Sequence, residues 1–401
     1  MTQAVHVILG AGQAGGHAAM AMREAGFTGR ILLLGAEQHA PYERPPLSKA
    51  ALTDEPAPPA AWFYPPGRYA ERDIDFRSGC VATGLDAAAH RLTLRDGTHV
   101  AYDRLLLATG GRARRLTIPG AERALSLRTL EDAAAIRARL VAGARVVCIG
   151  AGVIGLEIAA SAHARGCQVT VIEAGPGAMG RSLPPAFARY VEGLHEKAGV
   201  RLCFGTAPQA IERGRVVCAN EVFPADCVIA GIGMERATDL AVAAGLAVEG
   251  GIAVDAFGRS SAADIFAAGD VAAFWHPRLQ RRLRMESWRH AQNHGIAVGR
   301  VMAGGSEAYD DVPWFWTDQH GMNLQVAGLV EEGQRLVLRG IWGSASFAAF
   351  LLDAGGAVGA AIGVNAPREV RAAMALIRSG RMVDPDRLAD VTSSVQRLAA
   401  G

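Results

Sequence analysis

Two stretches of the chain repeat one pattern of apolar and polar positions. Val5 to Leu9 is a short β-favouring run, a glycine-rich turn follows, Gln13 to Ala25 is helix-like, and Arg30 to Leu34 is a second strand. The copy runs from Arg145 to Ile149 through another glycine turn into a helix over Val153 to Arg165 and a strand over Gln168 to Ile172. Short continuous apolar runs bounded by turns suit strands covered on both faces, so each copy reads as a βαβ unit with parallel, buried strands.

Between the copies lies a Pro-rich segment, Ala40 to Pro66, with little periodicity, then short alternating runs at Arg91 to Arg95 and Ala101 to Ala108. After the second copy, Asp226 to Ile232, Gly251 to Asp255 and Asp264 to Ala268 are strand-like and close on Gly or a small residue. The style changes near Trp316. Asn323 to Leu329, Arg335 to Trp342, Phe347 to Asp353 and Ala357 to Val364 pattern like antiparallel strands, and helical stretches over Ala366 to Ser379 and Asp384 to Ala399 finish the chain. The expected fold class is α/β, with two Rossmann-like dinucleotide-binding domains and a small α+β C-terminal domain. The expected ranges are 1–111 with 240–315, then 112–239, then 316–401.

At 401 residues, half of them hydrophobic, the chain buries a sizeable core in two or three domains and is not disordered. A net charge of +2, without long runs of one sign, does not point to nucleic acid or an anionic membrane. Glycine is abundant, 48 of 401 residues, against a usual share of about 7%, which suits turns where backbone approaches a ligand. The six cysteines form no CxxC and no pair at metal-ligand spacing, against a zinc site, an iron–sulfur cluster within the chain or a disulfide scaffold. The N-terminus has no basic segment ahead of its short apolar run, so a cytoplasmic protein is expected. The apolar region Phe347 to Val364 is broken by Asp353, Gly355 and Gly356, which suits a hairpin better than a bilayer helix. No coiled-coil heptad is visible, and a monomer is the default.

The chemistry lies in the glycine turns. In Gly10-Ala11-Gly12-Gln13-Ala14-Gly15, Gly10 permits the tight turn, Gly12 lets backbone approach a pyrophosphate, and Gly15 lets the helix pack on the strand. Glu37 follows Gly15 by 22 residues, where an acid accepts a ribose hydroxyl. The second turn is Gly150-Ala151-Gly152-Val153-Ile154-Gly155, with Glu173 eighteen residues beyond it. Two complete fingerprints imply two dinucleotides, a flavin and a nicotinamide exchanging hydride. Glu173 repels a 2′-phosphate and the three residues after it include no Arg, which favours NADH over NADPH, with Arg181 nearby as the opposing feature.

Further motifs are Tyr42-Glu43-Arg44-Pro45-Pro46-Leu47-Ser48-Lys49, Leu107-Ala108-Thr109-Gly110, Leu127-Arg128-Thr129-Leu130-Glu131-Asp132 and Ile265-Phe266-Ala267-Ala268-Gly269-Asp270. With them stand Glu286-Ser287-Trp288, Ala291-Gln292-Asn293 and Pro313-Trp314-Phe315-Trp316-Thr317-Asp318-Gln319. On these residues, over essentially its whole length, the chain resembles the FAD-dependent NADH:ferredoxin reductases of bacterial Rieske dioxygenase and cytochrome P450 systems, the family of putidaredoxin reductase and of the biphenyl and toluene dioxygenase reductases. The resemblance implies a glutathione-reductase-like architecture in which the first and split range binds FAD and the second binds NADH.

It further implies that Asp270 and Gly269 meet the FAD ribitol and that Lys49 and Glu157 form a pair beside the flavin N5. Arg44 and Arg128 become flavin or pyrophosphate contacts, and Thr109, Gly110, Trp288, Glu286, Ser287, Ala14 and the backbone of Ala82 line FAD. Val153, Ile154 and Gly233 fall on the NADH side. Trp316 matches an aromatic residue at the flavin edge facing the electron acceptor. Arg278, Arg281, Arg282, Arg284 and Arg289 are close together, with Glu286 the only acid from Trp275 to His290, and could steer an acidic [2Fe-2S] ferredoxin. The family often has Asp where this chain has Ala36, and Pro where it has Ala113.

The cysteines disfavour one rival, and three stay open: a thiol-independent NADH oxidase, a NAD-sensing flavoprotein and a rubredoxin reductase. A disulfide reductase or thiol-dependent NADH oxidase shares the fingerprints but needs a redox cysteine after the first βαβ unit, and Gly35 to Gly79 contains none. A NAD-sensing protein similar to apoptosis-inducing factor is another reading, and a rubredoxin reductase is a close variant of the main one.

Overall fold

In the computed structural model, which describes residues 3–65 and 67–400, the apolar runs around the first glycine turn become neighbouring parallel strands. Residues 1, 2, 66 and 401, at which some expected ranges begin or end, lie outside the described residues. The chain divides into two compact units, Met1–Arg44 with Ala60–Arg112 and Met234–Asp311, and Pro45–Pro59 with Ala113–Gly233 and Val312–Gly401.

The first unit is built on a five-stranded parallel sheet in the order Ile265–Ala267, Arg104–Leu107, Val5–Leu9, Arg30–Leu34, Ile74–Arg77. Ile8, Leu33 and Leu106 are fully buried in it, each contributing about 1.5–3 kcal/mol through removal from water. Three helices matter for function: α1 (Gln13–Glu24), α2 (Val153–Ala164) and α3 (Trp288–Met302). Helix α1 is rich in Ala and Met, ends before Gly26 at φ +84°, and buries Ala14, Ala18, Ala19 and Met22. Gly295 and Gly299 of α3 lie against it so closely that a Cβ on either would come within 2.2 Å of Ala14 O or 2.5 Å of Ala18 O.

In the second unit the parallel order is Arg201–Cys203, Gln168–Ile172, Arg145–Ile149, Cys227–Ala230. The same unit holds an antiparallel sheet ordered Trp314–Gln319, Met322–Gly328, Val358–Val364, Phe347–Leu352, Arg335–Arg339. The apolar region from Phe347 is the expected hairpin, and helix Pro367–Ser379 packs its Val370, Ala373 and Leu376 on this sheet's core. Among the described residues no helix is long and apolar enough to cross a membrane.

Two expected elements divide. The run from Ala101 to Ala108 forms the end of strand His99–Ala101, in a meander, and strand Arg104–Leu107, in the parallel sheet. Tyr102 N–H donates to His90 O and the Asp103 carboxylate accepts Val5 N–H, which turns the chain from one sheet to the other. The last helical stretch becomes Pro385–Ala389 and Val395–Ala400. Asp390 accepts from the Thr392 N–H and hydroxyl and the Ser393 hydroxyl, while the buried guanidinium of Arg339 donates to the carbonyls of Leu388, Asp390, Val391 and Ser393. Carbonyls held by an arginine are lost to a helical ladder, so the helix breaks there.

Candidate active site

Gly10 has φ +111°, and a Cβ there would lie 2.2 Å from Ala108 O. A Cβ on Gly15 would strike Gly10 O at 1.9 Å, so turn and helix are in backbone contact. Gly12 is different: a Cβ would meet nothing within 4 Å, and α1 starts there with no side-chain cap and no acid in its first turn. Open space in front of uncapped amide N–H groups fits a pyrophosphate, whose charge the helix terminus stabilises. The second turn repeats the arrangement. Gly150 has φ +103°, a Cβ on Gly155 would lie 2.1 Å from Gly150 O, and one on Gly152 has only Gly231 O, at 4.0 Å. Helix α2 is likewise uncapped by side chains, and Ile154 in its first turn is 44% exposed, leaving an apolar surface beside the open turn.

In the first unit, Glu37 accepts from the Tyr42 hydroxyl and Arg44 Nη2, each at 2.5 Å. The expected ribose acid and the expected pyrophosphate contact therefore meet each other, and Arg44 compensates the carboxylate. Thr109 spends its hydroxyl on Ala237 O at 2.9 Å, and Gly110 follows at φ +59°. Ala14 lies under Gly269, whose Cβ would be 2.8 Å from that of Ala14, and the Asp270 carbonyl accepts from Arg236 Nε at 2.8 Å. Ala82 opens strand Ala82–Asp86. Trp288 donates its indole N–H to Glu43, and Gln13 donates to Gln292 Oε1 at 3.1 Å. Burial raises the Glu43 carboxyl above its ordinary value, against bonds from Trp288 and Gln13 that lower it. Glu43, inside a quoted motif, thus joins Trp288 and Gln13, a contact that sequence reasoning passed over. Ser287 caps α3 by accepting His290 N–H at 3.4 Å, and Glu286 pairs with Arg236 at 2.6 Å.

In the second unit, both oxygens of Glu173 are bonded to backbone, accepting Ala151 N–H at 2.8 Å and Gly175 N–H at 2.7 Å. Arg181 reaches toward Gly233, its Nη2 3.7 Å from where a Cβ would stand. Arg128 precedes helix Leu130–Arg137, its N–H bonded to the Asp132 carboxylate of a capping box with Thr129.

A buried polar group of this unit is Glu157, on α2 and 2% exposed. It accepts from the Ser48 hydroxyl, from Thr317 Oγ1 at 2.8 Å and from Lys49 Nζ at 2.8 Å. Ser48 is pinned from its other side, its carbonyl accepting from Ser161 Oγ of α2 at 2.6 Å. Lys49 is 22% exposed and stands 5.9 Å from the centroid of the Trp316 ring. Trp316 stacks on Trp314 at 5.2 Å and donates to Asp318 Oδ2 at 3.0 Å. One cation and two hydroxyls compensate this buried carboxylate, which in turn fixes the direction of the ammonium.

The arginine cluster is partly neutralised where it stands. Arg278 pairs with Asp310, Arg282 with Glu249 and Arg289 with Asp311, and Arg281, Arg282 and Arg284 are exposed. All six cysteines are free thiols, and Ser48, in the stretch where a disulfide reductase carries sulfur, is bonded to Glu157. Among the described residues no group of three or more His, Cys, Asp or Glu is arranged to hold a metal ion.

Comparison with known proteins adds to this geometry. Residues 5–295 match the pyridine nucleotide-disulphide oxidoreductase family, and residues 314–399 match the reductase C-terminal family. The chain is similar to the ferredoxin–NAD(+) reductase component of an anthranilate 1,2-dioxygenase system from Burkholderia cepacia, 40% identical over 96% of this chain and 97% of that one. It is 35% identical to a putidaredoxin reductase of Pseudomonas putida, over 98% of this chain and 96% of the relative. The crystal structure of a covalent putidaredoxin reductase–putidaredoxin complex superposes with a TM-score of 0.94 at 34% identity, covering 100% of this chain and 99% of that one.

Proposed function

Because the chain belongs to the pyridine nucleotide-disulphide oxidoreductase family and ends in a reductase C-terminal region, we propose that it is an NADH:ferredoxin reductase: it takes hydride from NADH onto FAD and passes electrons singly to a [2Fe-2S] ferredoxin serving a bacterial oxygenase. The observation that carries this is the pair of glycine turns, each with open space before an uncapped helix, in two separate parallel sheets. Bound FAD supplies the conversion of a two-electron donor into one-electron deliveries.

The chain's residues bind and orient. Gly12 and the α1 terminus take the FAD pyrophosphate, Gly269 and Asp270 its ribitol, and Glu37, steadied by Tyr42 and Arg44, its adenosine ribose. Gly152 and the α2 terminus take the NADH pyrophosphate, and Glu173 its adenosine ribose. Lys49, held by Glu157, presents a fixed cation to the reacting end of the flavin, and Trp316 serves the exit of electrons. Geometry rather than acid–base chemistry supplies most of the rate. The ranges 1–111 with 240–315, 112–239 and 316–401 serve as the FAD-binding, NADH-binding and C-terminal domains, although Pro45–Pro59 of the first range is compact with the second unit. The reaction belongs in the cytoplasm, and Arg278, Arg281, Arg282, Arg284 and Arg289, of which Arg281, Arg282 and Arg284 are exposed, are the arginines that steer an acidic ferredoxin.

The test is an anaerobic titration of the yellow holoprotein with NADH and with NADPH, followed by mixing with [2Fe-2S] ferredoxins while cytochrome c reports outflow. Rapid NADH-specific bleaching and ferredoxin-dependent cytochrome c reduction are expected. Bleaching without outflow to any ferredoxin overturns the partner, and no bleaching overturns the reading of the two turns.

A further inference from the structure

Glu157 is the inner end of a line of hydrogen bonds through Thr317 and Gln319 to His195 and His320, a line to which the proposed function gives no part beyond Glu157 itself. Thr317 Oγ1 donates to Glu157 Oε1 at 2.8 Å, and Gln319 Nε2 donates to Thr317 Oγ1 at 2.8 Å. Gln319 Oε1 lies 2.8 Å from His195 Nε2, and His195 Nδ1 lies 3.2 Å from His320 Nε2. Thr317, Gln319 and His195 are at most 1% exposed, while His320 is half-buried with His163 edge-on at 5.7 Å. Thr317 and Gln319 are alternate residues of one strand, so both point inward from the same face, and His195 comes from helix Pro185–Ala198.

The chemistry of the inner end dictates the direction of every bond. An ionised carboxylate only accepts, so the single Thr317 proton goes to Glu157, and Thr317 must accept from the amide of Gln319. The Gln319 oxygen is thereby turned to His195, which must carry its proton on Nε2 and accept on Nδ1, and His320 must then donate from its own Nε2. Burial lowers His195 below its ordinary value, and burial, then His195 and His163, takes His320 to about 4, so both rings are neutral near pH 7.

We infer that Thr317, Gln319 and His195 are positioning residues: a line of hydrogen bonds, directed by the Glu157 charge and ending at His320, fixes the carboxylate that aims Lys49. The inference rests on the proposed function only for what Lys49 does.

The test uses FAD-loaded protein labelled with ¹⁵N-histidine, in which nitrogen shifts report the tautomers. In the wild type His195 and His320 are expected as single Nε2–H tautomers. Thr317→Val leaves the Gln319 amide free to turn over, so His195 is expected to populate both tautomers, and Thr317→Ser is expected to restore one. His320→Ala, at the half-buried end, is expected to leave His195 on Nε2–H, because direction is set from Glu157. Hydride transfer from NADH is expected to slow about tenfold in Thr317→Val, the worth of one bond to a charged group, and to recover in Thr317→Ser. A single His195 tautomer in Thr317→Val, or a change of tautomer in His320→Ala, overturns the line. Failure of NADH to bleach the wild type overturns the function and leaves the tautomer result standing.

Discussion

Glu173 and Ala151 are joined across the mouth of the second glycine turn, the carboxylate accepting the amide N–H at 2.8 Å. The acid read as a ribose partner therefore also ties the turn to the end of its neighbouring strand. Glu173→Ala is expected to weaken NADH binding about tenfold without creating NADPH binding, and to lower stability by about 1–3 kcal/mol through the two amides left unpaired. Calorimetric titration with both nucleotides and a thermal scan of the same sample check both effects. An unchanged melting temperature would show that the carboxylate acts on the nucleotide alone.

Lys49 compensates a carboxylate that is almost out of contact with water. Removing it as Lys49→Met leaves Glu157 with hydroxyl partners only and is expected to cost about 2–3 kcal/mol in stability, with slower hydride transfer. The double variant Lys49→Met with Glu157→Leu is expected to be more stable than Lys49→Met alone, since the buried charge is gone. Urea midpoints of the four proteins of that cycle decide it.

Arg339 is 5% exposed and binds backbone carbonyls in the break between the last two helices, besides an ion pair with Glu369 at 3.2 Å. Arg339→Ala leaves those carbonyls without their donor and is expected to cost about 3 kcal/mol or more locally. Limited proteolysis is expected to cut the chain between Asp384 and Ser394 much faster, while flavin absorbance, a property of the other unit under the proposed function, persists.

Acid is expected to weaken the fold through buried histidines. Burial takes His6 down to about 4, with Arg104 adding to the fall and Asp103 opposing it, and takes His290 down to about 3. An unfolded chain protonates these rings near 6.5, so between about 6.5 and 4 it binds more protons than the folded chain. Stability is thus fully present above pH 6.5 and falls as pH drops, by at most about 1.4 kcal/mol per pH unit for each ring. Urea midpoints at pH 7.5, 6.5, 5.5 and 4.5 measure the slope, and His6→Leu is expected to make it shallower. A flat profile would mean that those rings are protonated in the folded protein.

Both glycine turns were legible because their constraints are local: Gly10 and Gly150 need positive φ, and strand, turn and helix are contiguous. The cysteine-free stretch before Gly79 was equally plain. What escaped is long-range. Glu43 meets Trp288, and Thr317 meets Glu157, across separations that no periodicity records. Helix α3 was not expected because its buried face carries His290, His294, Gly295 and Gly299 among Ala and Val, where a helix is usually recognised by larger aliphatic residues. The final helix was read as continuous because the arginine that breaks it lies on a strand some fifty residues earlier.

The backbone contact of Gly295 and Gly299 with Ala14 and Ala18 changes where mutational sensitivity should be sought. A methyl group added to either glycine has no flexible neighbour to push aside, only the main chain of the helix to whose first turn the proposed function assigns the FAD pyrophosphate. Scans for variants that lose flavin are therefore expected to return two clusters far apart in sequence: one at the fingerprint itself, and one in a helix that contributes its slenderness.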